Sequence, residues 1–393
     1  MQWRIADRMN RLGTETAFEV LARAKKLESQ GKEIVHLEIG EPDFNTPKNI
    51  CEAAKKAIDA GWTHYGPSAG LWEHRQAIAE YISRTRNIPV SPEEVVVTPG
   101  AKPIIFYTIL TVLKPRDEVI YPNPGFPIYE SMINFVGAIP VPIPLREEND
   151  FNFDIDEFKK LITPNTKLII LNSPQNPTGG VLSKEILQEI ANIVLQRDDI
   201  VVLSDEVYSR ILYDGEKHHS IASFPGMKER TIIIDGYSKT YAMTGWRAGY
   251  GVMNKEYAGW MTKLMTNSNS CTASFIQIAG IEALKGPQDE VDKMVAEFDR
   301  RRQVIVNGLN KISGVTCKKP KGAFYVFPNF SSFGMKSREL QEYLLETAGV
   351  ATLAGTSFGQ YGEGYLRFSY ANSVDNINKA LERIAKALKD LPR

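Results

Sequence analysis

Residues 235–250 read DGYSKTYAMTGWRAGY, and what flanks this stretch decides the fold. Just upstream, residues 231–234 are TIII, a short β-branched run of the kind found in strands buried on both faces of a parallel sheet. After that strand the chain turns to Gly, Ser and Thr, a composition that does not build core. Lys239 therefore lies just past the carboxyl end of a central strand, and open α/β sheets bind ligands in the crevice outside those ends. A lysine that is desolvated there and set beside another cation loses part of its proton and becomes a nucleophile toward carbonyls. Arg247, a short loop later, supplies such a cation and a planar fork suited to a phosphate. Without context, two solvated loop cations are the competing reading.

At 393 residues the chain exceeds the size at which one core stops growing, so a large domain with a smaller one is expected. Lys+Arg 47 against Asp+Glu 47 leaves no net charge, which points away from nucleic acid and anionic membranes and toward a small ligand. Cys51, Cys271 and Cys317 are few, odd in number and widely spaced. That argues against a disulfide framework or a metal site and fits a cytoplasmic protein. The N-terminus has no signal-type apolar core, and the apolar run at 104–113 is too short for a membrane span.

Along the chain, strands alternate with helices and each strand ends in turn chemistry. Residues 17–30 form an amphipathic helix stopped by Gly31, and 34–37 a strand leading into IGEPDF at 39–44. Pro47 opens a helix to about residue 60, followed by HYGPSAGLWEHRQAI, in which Tyr65 reads on its own as a packed loop aromatic. The strand 94–98 runs through PGAKP into a helix from about residue 104, with Pro103 in the first turn, where its missing N–H matters least. Gly100, Ala101 and Lys102 thus offer main-chain N–H groups and a positive helix end to an anion. The strand 118–121 ends in PNPGFPIY, with Phe126 open to either core packing or a ligand contact. The strand 167–171 ends in SPQNPTGG, a rigid loop whose Asn176 both donates and accepts hydrogen bonds.

The strand 200–203 ends in SDEVY. Asp205 at its tip needs a partner for its buried carboxylate or serves as a helix N-cap, and Tyr208 is expected on the same helical face three residues on. From about residue 284 the alternation stops at a long polar helix, 288–312, whose basic run 300–302 reads as a solvated face. Strands at 323–327 and 365–370 and a helix at 373–388 close the chain. Arg367, a cation among apolar and aromatic neighbours, calls for a carboxylate partner.

Ser238 and Lys239 followed by Gly245, Trp246 and Arg247 resemble the lysine region of the class I/II, fold type I aminotransferases. The IGEPDF loop, Tyr65, GAK, Phe126, the NPTG quartet at 176–179, Asp205 with Tyr208, and Arg367 occur in that family's order. The resemblance implies an α/β fold: a large domain with a mostly parallel seven-stranded sheet flanked by helices, plus a smaller α+β domain built from both termini. The expected division is 1–46 as N-terminal segment and part of the small domain, 47–284 as cofactor domain and 285–393 as the C-terminal small domain. It implies pyridoxal 5'-phosphate, held by Lys239 as a Schiff base. Arg247, Ser238, Gly100, Ala101 and Lys102 would surround the phosphate, Phe126 would stack on the ring, and Asp205 would pair with the ring nitrogen. Tyr208 and Asn176 would contact the ring oxygen, and Tyr65 would reach the cofactor phosphate of a second subunit in a homodimer.

Gly40, Asn176 and Arg367 would receive the substrate α-carboxylate, and Lys102 a distal one. His74 stands where the family usually has an apolar residue. The implied reaction is ping-pong transfer of an amino group from aspartate or a broad range of L-amino acids to 2-oxoglutarate. Aromatic or alanine specificity is an alternative, as is a C–S lyase of the same fold.

Overall fold

The computed structural model describes residues 3–391. Eight strands precede the long C-terminal helices: β1 (Val35–His36), β2 (Val95–Thr98), β3 (Glu118–Asn123), β4 (Ile139–Pro144), β5 (Thr166–Asn172), β6 (Val201–Asp205), β7 (Thr231–Gly236) and β8 (Gly249–Val252). All but β1 form one seven-stranded sheet in the order β2-β8-β7-β6-β5-β3-β4. Strand β8 is antiparallel to both its neighbours, and every other pair is parallel. The exception has a local cause. Between β7 and β8 lies a single helical turn, Tyr237–Thr240, and a loop, with no crossover helix of the kind a parallel return requires.

The sheet is buried on both faces, as the β-branched runs imply. Alternation sends Ile232 and Ile234 to one side, where they meet Ile104, Met261 and Met265. Ile233 goes to the other, with Ile78, Ile82 and Ala279. Strand β1 pairs in parallel with β10 (Val350–Ala351), after β9 (Tyr325–Val326). Strand β9 lies against β12 (Leu366–Ser369), which also pairs with β11 (Leu353–Ala354). The β1–β10 pair thus joins an early part of the chain to a late one. Among the described residues no helix is long and apolar enough to cross a membrane.

Two expectations are corrected. The run 300–302 is not a solvated face: in helix Asp289–Leu309 Arg300 is exposed, Arg301 is buried and Arg302 is 0% exposed. Arg302 binds Asp214, Asp299 and the Pro320 carbonyl and lies over the Tyr213 ring at 4.2 Å. Residues 207–210 form a turn, so Tyr208 does not share a helix face with Asp205. His74 is accommodated by burial, with Nε2 2.6 Å from the Tyr237 hydroxyl and Nδ1 3.4 Å from Gln277.

Candidate active site

The loop after β5, the end of β6 and the loop after β2 carry Asn176, Asp205 and residues 100–102, and Lys239 follows β7. The side chain is partly buried, and Nζ donates to the Gly40 carbonyl at 2.6 Å. Burial pushes its pKa down to about 8; Glu41 opposes this, while Arg367 and Arg247 add to it. About a tenth of the amine is therefore uncharged at pH 7, far more than for an ordinary lysine. The segment carrying Gly40 is stitched to the lysine loop: Thr244 donates to Glu41 at 2.8 Å, Thr46 to the Ala242 carbonyl at 2.7 Å, and Trp246 Nε1 to Thr46 at 2.9 Å. Gly40 has a steric reason to be glycine, since a Cβ there would lie 2.3 Å from the Tyr325 hydroxyl.

Asp205 ends β6, buried. Its Oδ2 accepts from the Tyr129 hydroxyl at 2.6 Å and its Oδ1 from the Val207 N–H at 3.4 Å. Burial pushes its pKa up to about 6 against the downward pull of Tyr129 and Val207. Such a carboxylate is short of positive partners. Tyr129 also meets Phe126 edge-on at 5.8 Å, so one residue braces both groups. Tyr208 is brought close through its hydroxyl, 2.8 Å from that of Tyr325, rather than through a helix.

Arg247 has φ +54° and Gly100 φ +82°. The two touch: a Cβ on Gly100 would come within 2.2 Å of an Arg247 terminal nitrogen. Likewise a Cβ on Gly249 would lie 2.3 Å from the Ala101 nitrogen. These absent side chains let residues 100–102 settle on the end of β8 with the guanidinium beside the first turn of helix Lys102–Val112. An arginine on a helix N-terminus is an anion cradle. Ser238 lies in the turn that presents Lys239.

Arg367 is 4% exposed, with Nη1 donating to Asn176 Oδ1 at 3.1 Å and Nη2 to the Glu38 carbonyl. Its plane covers the Tyr325 ring at 4.5 Å and Phe358 at 4.9 Å. Nε is buried without a partner, and among the described residues no carboxylate pairs with it. Burial holds its pKa below the usual arginine value.

Lys102 is half-exposed, pairs with Glu15 and sits 5.3 Å from the Phe126 centroid. Tyr65 does not join the site within this chain; it is 91% exposed and so is not a packed loop aromatic. Tyr129, Tyr325, Glu38 and Glu15 escaped the sequence reading. Only the oddity of Glu38 between Leu37 and Ile39 hinted at its burial. Glu206 and Asp235, at the ends of β6 and β7, belong to a buried network with Arg86, His218, Ser209 and Ser220.

Pyridoxal phosphate fits this set on chemical grounds: an anion cradle for the phosphate, a partly uncharged amine for the aldehyde, and a partner-poor buried carboxylate for a protonated ring nitrogen. The sequence matches the family described as Aminotransferase class I and II over residues 32–384. It is 44% identical to an aspartate aminotransferase of Pyrococcus horikoshii, covering 98% of this chain and 97% of that one. It is 40% identical to aromatic-amino-acid aminotransferase 2 of Thermococcus litoralis, covering 98% of each. The solved aspartate aminotransferase of Rhizobium meliloti superposes with a TM-score of 0.95 at 35% identity, covering 99% of each chain. With fold, cradle and sequence in agreement, the chain belongs to the class I and II aminotransferases, enzymes that work with pyridoxal phosphate.

Proposed function

We propose that this aminotransferase moves the amino group of aspartate, or of a broad range of L-amino acids, to 2-oxoglutarate in two half-reactions at one site. The observation that carries the reading is Lys239, an amine with its pKa pushed down to about 8 at the carboxyl edge of the sheet. When bound, pyridoxal phosphate supplies an electron sink next to the substrate Cα. Lys239 would hold that cofactor through Nζ. Its freed Nζ then accepts the Cα proton and later gives it up as a general acid.

Asp205 would pair with the protonated ring nitrogen. Arg247, Ser238 and the main chain of Gly100, Ala101 and Lys102 would grip the phosphate, Phe126 would pack on the ring, and Tyr208 and Asn176 would contact its oxygen. Arg367, Asn176 and Gly40 take the substrate α-carboxylate, a role supported by the missing counter-ion of Arg367. Lys102 takes the distal carboxylate of dicarboxylic substrates.

The exposure of Tyr65 supports a homodimer in which that ring reaches the partner's phosphate. The division into 1–46, 47–284 and 285–393 is supported by the separate C-terminal strands. A cytoplasmic location is supported by the unpaired Cys51, Cys271 and Cys317.

The test is incubation of the holoenzyme with single amino acids and 2-oxoglutarate while glutamate is followed. Glutamate from aspartate is expected, and none from any common amino acid overturns the reading. Lys239→Ala is expected to retain cofactor but lose turnover and the absorbance of the lysine-bound form.

A further inference from the structure

The N-terminal segment carries a negative charge into the site. Arg11 Nε donates to the Asn134 carbonyl at 2.9 Å and the Gly13 N–H to Ser131 at 2.8 Å, which fastens residues 11–13 to helix Ile128–Val136. Two residues on, Glu15 reaches the Lys102 ammonium above Phe126. Its charge is felt deeper in as well, opposing the low pKa values of both Lys239 and Arg367. Glu15 is thus a carboxylate of the chain itself, set on the ammonium to which the proposed function assigns the distal carboxylate of an acidic substrate.

We propose that Glu15 is a specificity-determining residue whose carboxylate exchanges with the distal carboxylate of dicarboxylic substrates at Lys102. The inference rests on the reading of Lys102 given above. It answers a demand of ping-pong chemistry, in which one site accepts a dicarboxylic acid in one half-reaction and a different side chain in the other. With a neutral or aromatic side chain, the Lys102–Glu15 pair stays closed and presents no unpaired ammonium to an apolar group. With a dicarboxylate, the ammonium trades one carboxylate for another. The trade is cheap because the pair is on the rim, with side chains 43% and 25% exposed, and exposed ion pairs are weak.

The test compares holoenzyme, Glu15→Gln, Lys102→Ala and the double variant. It reads kcat/KM for aspartate against phenylalanine, and binding of succinate against butyrate from the change in cofactor absorbance. Glu15→Gln is expected to raise the dicarboxylate preference in both readouts by about three- to fivefold, the range set by an exposed pair. Lys102→Ala is expected to lower it by about tenfold or more and to erase the effect of Glu15→Gln in the double variant. An unchanged preference in Glu15→Gln beside a lowered one in Lys102→Ala overturns the exchange and leaves Lys102 as the reader. An unchanged preference in Lys102→Ala removes that reading and the exchange with it.

Discussion

Arg86 and Arg367 are both buried arginines near the same site, and their surroundings are opposite. Arg86, at the end of helix Trp72–Arg86, donates to Glu206 at 2.8 Å, Asp235 at 2.7 Å and Ser209 at 2.9 Å. Although burial works against its charge, the two carboxylates outweigh it and hold the guanidinium above its usual pKa. Glu206 is pushed down to about 2, burial opposing while His218 and Arg86 lower it. Arg367 has an amide, a carbonyl and two aromatic faces but no carboxylate, and burial lowers its pKa. A saturated buried cation is framework. An unsaturated one still has a donor left for an anion.

Replacing each arginine by methionine should separate the two. Arg86→Met strands two buried carboxylates, and a loss of about 3–5 kcal/mol in chemical denaturation is expected. A loss below about 1 kcal/mol would mean that the network is not framework. Arg367→Met should leave the denaturation midpoint unchanged or raised while kcat/KM for α-amino acids falls by about 10²- to 10³-fold, in line with a lost buried charge pair. Equal losses of stability in the two variants would break the contrast.

Asp205 extends it to a carboxylate. Its folded pKa, pushed up to about 6, exceeds the ordinary 3.8, so the folded state binds the proton more tightly and the ionised form costs stability above pH 6. Cofactor-stripped Asp205→Asn should therefore be about 2–3 kcal/mol more stable than the parent at pH 8. That gain should shrink as pH falls from 6 to 3.8, and denaturation across the range reads it. His74 gives the smallest effect. Burial pushes its folded pKa down to about 4 from 6.5, so the unfolded chain binds more protons between those values and stability falls as pH drops through the window. His74→Gln should lose about 1 kcal/mol less than the parent between pH 7 and 5.5 by the same measurement.

The strand ends were legible because each carries short-range chemistry: a β-branched run followed by Gly, Pro, Asn or Asp. Lys239, Asp205, Asn176 and the 100–102 turn could be placed at or just past strand ends in that way. What failed depended on distant residues. The basic run 300–302 was read by charge, yet Arg301 and Arg302 share a helix face with Phe298 and Ile305 at spacings of three and four, and that periodicity was visible. The partners that bury Arg302, Asp214 and Tyr213, lie far away along the chain and carry no local mark. Tyr129 was likewise hidden, since nothing in PIYES distinguishes a tyrosine that braces Asp205 from one that fills core.

The Glu38 and Gly40 carbonyls, two residues apart, receive Arg367 and Lys239 respectively. Both side chains therefore rest on the same short ribbon, each with a peptide oxygen as acceptor. The ribbon itself is anchored on either side, by the β1 pairing before it and by the contacts of Glu41 and Thr46 after it. Because the acceptors lie so close along the chain, one length of backbone sets the resting positions of both cations.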